Sequence, residues 1–214
     1  MERTQRERTP EFLTGLDDPA FVESFLAGAG GRLGSTTHIA VLDRDGWACS
    51  VTCSAGSASG IIVPGTGVHL NNMLGEQDLN PLGFHSYPPG RRMPSMMSPT
   101  VVLRGDVPVL AVGSAGSNRI RSAILQTIIR SIDDGMSAQA AIDAPRVHFE
   151  DDVVYTEPGV DADALRAAGY TLAPFRDRNL FFGGTQAVAR RADGAFEGGG
   201  DPRRGGAATV VDAT

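Results

Sequence analysis

Three turn pairs, Asp45-Gly46, Gly105-Asp106 and Asp193-Gly194, each sit between short apolar runs, and they commit this chain to antiparallel pairing. Aspartate and glycine tolerate the positive φ that a tight hairpin turn demands, so such pairs between alternating segments are the strongest local hairpin signal. The flanking segments are Thr37–Asp43 with Ala48–Ser54, Thr100–Leu103 with Val107–Val112, and Gly184–Arg190 with Ala195–Gly198. From Thr36 to Gly113 the pattern predicts mainly strands. Between the second and third hairpins the period changes. Ile120, Ala123, Ile124, Thr127, Ile128 and Ile132 recur every three or four residues, which predicts a helix beginning near Asn118 and ended by Gly135. Ser137 caps a shorter helix that stops before Pro145, Val153–Glu157 reads as a strand, and a helix over 161–168 stops at Gly169. Strands in hairpins with segregated helices predict an α+β layered fold.

Composition excludes several roles. A net charge of -6 without a basic cluster argues against a nucleic-acid surface. The chain contains no lysine, which removes Schiff-base chemistry. No apolar run approaches the ~20 residues of a membrane-spanning helix. Met1–Arg8 is charged and leads into no apolar stretch, so the sequence predicts no signal peptide. A cytoplasmic location is the default expectation, with export open if an upstream segment carries a signal. Cys49 and Cys53 share one predicted strand, and the strand rise puts their Cα atoms ~13 Å apart, too far to bridge. His38, His69, His85 and His148 show no metal-ligand spacing, so neither a metal nor another cofactor is expected.

Residues 1–17 are polar. Asp18-Pro19 then predicts a short helix with Phe21, Val22, Phe25 and Leu26 on its apolar stripe. Ala27–Gly34 is a glycine-rich, cleavable approach to Thr36-Thr37-His38 at the mouth of the first hairpin. Cleavage between Ser35 and Thr36 would give Thr36 both a nucleophilic hydroxyl and a free α-amine able to take its proton. An α-amine has a reference pKa of ~8, so a usable fraction is neutral near pH 7.

Five further blocks follow in order. They are Pro64–Met73, Pro94–Thr100, Gly113–Ile120, Gly183–Val188 and Gly200–Arg204. With the Thr-Thr-His mouth, they resemble the small catalytic subunit of the γ-glutamyltransferases (γ-glutamyltranspeptidases, glutathione hydrolases), over roughly residues 15–206. The resemblance implies half of an αββα N-terminal-nucleophile hydrolase sandwich. It makes residues 1–35 the tail of a large-subunit region with its processing linker, and residues 36–214 the catalytic domain. A large subunit, from the same precursor or a separate chain, is the implied partner, and a γ-glutamyl compound the implied substrate.

The resemblance also implies roles for particular residues. Thr36 is the nucleophile of both autoproteolysis and catalysis. Ser54 stands at the family's second hydroxyl position, whose side chain hydrogen-bonds the nucleophile. Gly116 and Ser117 stand where two glycines present N–H groups to the oxyanion, just before a helix N-terminus that favours negative charge. Thr37 and His38 are read as structural. For the glutamyl end, Asn72, Glu76 and Ser95 are the candidates.

Several positions depart from the family. Ala55-Gly56 replace an asparagine region, Met96 replaces the second serine of a pair, and the stretch from Asn72 to Pro94 is too short for a long lid. Weak glutathione affinity, with hydrolysis exceeding transfer, is the expectation. Asparagine restored at Ala55 or Gly56 is expected to tighten binding. Two alternatives stay open: an acylase-like amidase using the same Thr36 on another amide, and a catalytically silent piece lacking its large subunit.

Overall fold

The computed structural model describes residues 36–76, 79–80 and 82–211. Ser35 and the helix expected after Asp18-Pro19 lie outside the described residues. Two compact units emerge, one containing Ser54–Pro94 and the other joining Thr36–Cys53 to the chain from Ser95 onward.

The larger unit is layered. Strands β1 (Thr37–Leu42) and β2 (Ala48–Cys53) form an antiparallel hairpin in which Thr37 faces Cys53 and Leu42 faces Ala48. A second sheet has the order β3-β4-β8-β9, from β3 (Thr100–Arg104), β4 (Val107–Ala115), β8 (Gly184–Arg190) and β9 (Phe196–Gly200), all neighbours antiparallel. The hairpin packs on β4 and β8. Helices α1 (Arg119–Ile132) and α2 (Ala138–Asp143) also pack on this sheet, α1 against β4 and β8 and α2 against β8 and β9. The core forms where Leu110 and Val112 of β4 and Ala187 and Ala189 of β8 meet Ile120, Ile124, Ala138 and Ile142. These side chains alternate along the strands and recur at helical spacing, so period-2 and period-3.6 patterns meet at one apolar seam.

A third sheet was only partly legible. Strands β5 (Val147–Glu150) and β6 (Val153–Thr156) are antiparallel, whereas β6 and β7 (Thr171–Pro174) are parallel, joined through helix α3 (Ala162–Ala167). The β5–β6 turn is Asp151-Asp152, both at positive φ, a geometry that aspartate supports without a glycine to advertise it.

The smaller unit corrects the expectation that strands dominate from Thr36 to Gly113. From Ser54 to Pro99 the described residues hold turns, a short 3-10 turn at Met73–Gly75 and a single isolated bridge between Ile62 and His69. Glycines at positive φ (56, 60, 65, 67, 83 and 90) break the extended runs that the apolar residues suggested.

Candidate active site

Thr36 precedes the first rung of the β1–β2 hairpin, and Ser54 follows the last residue of β2 directly. His38, two residues from Thr36, is buried. Its Nδ1 shares a 2.8 Å hydrogen bond with the Thr52 hydroxyl, and its ring lies over Gly113 of β4 so closely that a Cβ there would sit 2.2 Å from the imidazole. Burial lowers its pKa from 6.5 to about 4, so the ring is neutral at pH 7. This is a structural histidine, as its place in the motif predicted. It also explains the glycine at 113: two stacked sheets approach there, and only hydrogen leaves room for the ring.

β4 runs from Gly113 into the turn Gly116-Ser117, which ends at α1. Gly116 has φ 134 and Ser117 φ 55, so the chain reverses through two successive positive-φ residues before the helix. Asn118 at the N-cap makes no side-chain cap. Its amide donates to Glu150 instead, while Arg119 Nη1 lies 3.8 Å from the same carboxylate. His148 continues this cluster, with Nδ1 2.8 Å from the Ser122 hydroxyl and Nε2 3.5 Å from Glu150.

The 3-10 turn Leu180–Phe182 and Gly183 pack behind Gly116-Ser117. A Cβ on Gly116 would sit 2.6 Å from the Cα of Gly183, and a Cβ on Gly183 2.6 Å from the carbonyl oxygen of Ala115. Arg119 reaches back, donating from Nε to the Phe181 carbonyl at 3.1 Å and stacking its guanidinium 4.6 Å from the Phe181 ring centroid.

Beneath lies a buried ionic network. Arg146 donates to the Phe182 carbonyl at 2.9 Å and to the Thr185 hydroxyl at 3.1 Å, and pairs with Asp201 at 2.6 Å. Asp201 accepts the Thr185 N–H and bonds Arg203, which in turn grips Glu157 through two nitrogens. Burial pulls the Arg146 pKa down to about 10, against the pull of Asp201, so it stays charged at neutral pH. Burial alone would raise Glu157, but hydrogen bonds and charge from Arg203, with N–H groups of Asn179 and Arg146, hold it below the usual carboxylate range. Sequence reasoning did not assign this network. Its traces among the ordered blocks were Thr185 in Gly183–Val188 and Asp201 and Arg203 in Gly200–Arg204; groups so far apart in sequence meet only in the fold.

The smaller unit brings three positions together. Asn72 accepts the Ser57 N–H at 2.8 Å and donates to the Ser57 hydroxyl at 2.6 Å, and Ser54 Oγ accepts the Gly56 N–H at 3.0 Å. Gly56, at φ 64, faces both Asn72 and Glu76: a Cβ there would lie 2.1 Å from Asn72 Oδ1 and 2.5 Å from Glu76 Oε1. Asparagine restored at Gly56 would therefore have to displace the ends of the Asn72 and Glu76 side chains and adopt a positive φ, whereas Ala55 carries neither constraint. Ser95, in the larger unit, is exposed and accepts the Met97 N–H at 3.2 Å. Among the described residues no group of three or more His, Cys, Asp or Glu residues is placed to hold a metal.

With this geometry in view, the comparisons are decisive about kinship. A sequence model of the gamma-glutamyltranspeptidase family matches residues 9–211. The glutathione hydrolase proenzyme of Bacillus subtilis (strain 168) is 37% identical over 183 residues, covering 84% of this chain and 31% of that protein. The acylase ACY 1 proenzyme of Pseudomonas sp. (strain SE83) is 35% identical over 182 residues, covering 82% and 32%. Among solved structures, gamma-glutamyltranspeptidase from Pseudomonas nitroreducens complexed with L-DON aligns with a TM-score of 0.69 at 31% identity, covering 82% of this chain and 100% of that one. The stacked hairpin, four-stranded sheet and flanking helices are thus an N-terminal-nucleophile hydrolase fold of the α+β class. Within that class, the chain belongs to the γ-glutamyltranspeptidase family. It spans about a third of the length of the curated relatives it matches.

Proposed function

We propose that this chain is the catalytic part of a γ-glutamyl amide hydrolase, with Thr36 released as the nucleophile by cleavage of Ser35-Thr36. The supporting observation is the turn at Gly116-Ser117. Two successive positive-φ residues at the end of a central strand, directly before a helix N-terminus, suit a backbone that receives an oxyanion. The relatives named glutathione hydrolase proenzymes support the same reading.

In the precursor, the Thr36 hydroxyl attacks the Ser35 carbonyl, the peptide C–N bond breaks to leave an ester, and water opens it. In the mature chain the α-amine of Thr36 takes the hydroxyl proton as oxygen attacks the γ-carbonyl. Gly116 and Ser117 N–H groups stabilise the tetrahedral oxyanion. The ammonium then protonates the leaving amine, and the acyl-enzyme is hydrolysed to glutamate. Ser54 hydrogen-bonds the nucleophile, while Glu76, Asn72 and Ser95 receive the glutamyl α-amine and α-carboxylate. Residues 1–35 belong to the tail of the large-subunit region, and 36–214 form the catalytic domain.

A large subunit is the partner. One face of the β1–β2 hairpin packs on the four-stranded sheet, and its other face leaves Ile39 58%, Val41 49% and Val51 43% exposed. That apolar strip asks for a covering layer, and a layer supplied by a large subunit would fit it.

An acylase reading on another amide keeps one specific support. Gly56 is packed against Asn72 and Glu76 with no side chain of its own, and the acylase relatives are nearly as similar as the hydrolases. Assay of the chain with its large subunit separates the two. Release of p-nitroaniline from γ-glutamyl-p-nitroanilide, impaired by Glu76→Gln mainly through KM, supports the γ-glutamyl reading. Preference for a glutaryl amide, indifferent to Glu76→Gln, supports the acylase.

A further inference from the structure

Several features outside the proposed chemistry could carry a function. The cleft lined by Asp143, Glu157, Arg176 and Arg178 has its carboxylates tied to arginines already. The Ser122–His148–Glu150 line has the members of a hydrolytic triad, but its histidine is buried and the serine lies on a helix face, so no substrate reaches it. The observations reach furthest at Gly183.

Gly183 fills the space that a Cβ on Gly116 would need, and the residue before Gly116, Ala115, fills the space that a Cβ on Gly183 would need. The approach works in both directions: Cα of Gly183 against the Cβ position of Gly116, and Ala115 O against the Cβ position of Gly183, each at 2.6 Å. Both residues are at positive φ, 134 and 82. Gly183 is fixed from its other side, because Phe182 gives its carbonyl to the buried Arg146, and Thr185 gives its N–H to Asp201. Arg119, the first residue of α1, closes the loop by binding the Phe181 carbonyl. The turn at Gly116-Ser117 is therefore pressed between the helix it starts and a segment bolted to a buried ion network. A side chain added at Gly183 meets the Ala115 carbonyl first, immediately before Gly116.

We infer that Gly183 is a positioning residue, setting the direction of the Gly116 and Ser117 N–H groups by backbone contact rather than touching substrate itself. This rests on the proposed function, because it supposes that those N–H groups meet the oxyanion. Such contacts act mainly on the transition state. Removing one oxyanion donor costs ~10²–10³ in kcat, so misdirecting a pair should cost at least about tenfold.

The test uses the chain together with its large subunit and compares Gly183→Ala, Arg119→Met and Gly194→Ala. Gly194 lies in the β8–β9 turn at φ 85 with open space around its Cβ, so it carries the same backbone strain without touching the turn. Gly183→Ala and Arg119→Met should lower kcat at least about tenfold with KM changed less than twofold. They should weaken a boronic-acid analogue of the γ-glutamyl group, which forms a tetrahedral adduct, by a similar factor, and leave L-glutamate binding unchanged. Gly194→Ala should leave all three at wild-type values. If Gly183→Ala does not fold, Arg119→Met decides by the same criteria. Wild-type kcat and boronate affinity in a folded variant, or equal losses for boronate and glutamate, would overturn the assignment. An inactive wild-type assembly would instead overturn the function on which it rests.

Discussion

The turn at Gly116-Ser117 and the segment from Ser54 to Pro94 are built in opposite ways. The first is held by a central strand, a helix, two interlocked glycines and buried arginines. The second is a succession of turns on positive-φ glycines, with Ile61, Ile62, Leu74 and Leu82 more than half exposed. On the proposed assignment, most of the chemistry falls in the tightly held region, while Glu76 and Asn72 of the recognition set fall in the turn-rich segment and Ser95 lies outside it.

The sharpest way to break that contrast is to cut the network under the turn. Asp201→Asn leaves two buried guanidiniums facing a neutral amide. Breaking one partner of a buried pair costs about 3–5 kcal/mol, which urea unfolding should show as a large drop in midpoint at unchanged slope. Glu76→Gln in the loose segment keeps the side chain's size and removes no buried ion pair, so it should shift the midpoint far less. Equal effects would erase the distinction.

Acid should act next most strongly, and on the rigid side. The folded pKa of His38, about 4, lies below the unfolded value of 6.5, so the unfolded chain binds the proton first as pH falls. Stability is complete above about pH 6.5 and is lost progressively toward pH 4, by on the order of 3 kcal/mol. His148, also lowered, mainly by burial, adds to the loss in the same direction. Unfolding free energies measured between pH 7 and 5 should fall in wild type and fall less in His38→Gln. A flat wild-type profile would show that the ring is not desolvated.

Gly56→Asn probes the loose segment at its one crowded point. The new Cβ overlaps Asn72 and Glu76, so the variant should lose about 1–3 kcal/mol and gain no affinity for γ-glutamyl substrates, whereas Ala55→Asn should be tolerated. Thermal unfolding and KM, measured together, separate the two. The smallest effect belongs to Ser117→Gly. A serine at φ 55 carries strain that glycine relieves, worth about 1 kcal/mol in stability with catalysis retained.

The sequence disclosed the parts of this fold that rest on local chemistry. Asp45-Gly46 and Asp193-Gly194 placed two hairpins, Ser137 a cap whose side chain accepts the Ala140 N–H, and the isoleucine spacing the face of α1. It did not disclose β5 and β7, because Asp151-Asp152 makes its turn without glycine and β7 pairs through a parallel crossover. Thr36 was legible from its place after a glycine-rich stretch at a hairpin mouth, while the other site residues were named by resemblance. What supports Gly116, namely contact with Gly183 and the reach from Arg146 to Phe182, depends on pairings 36 or more residues apart that no local pattern encodes.

The central claim is that Thr36 becomes an N-terminal nucleophile, and intact-mass analysis of the chain produced with its large subunit tests it most directly. The account predicts a fragment beginning at Thr36 in active wild type, an uncut and inactive chain in Thr36→Ala, and partial cutting and turnover in Thr36→Ser. An active preparation whose mature N-terminus lies elsewhere, or turnover by Thr36→Ala, would contradict it.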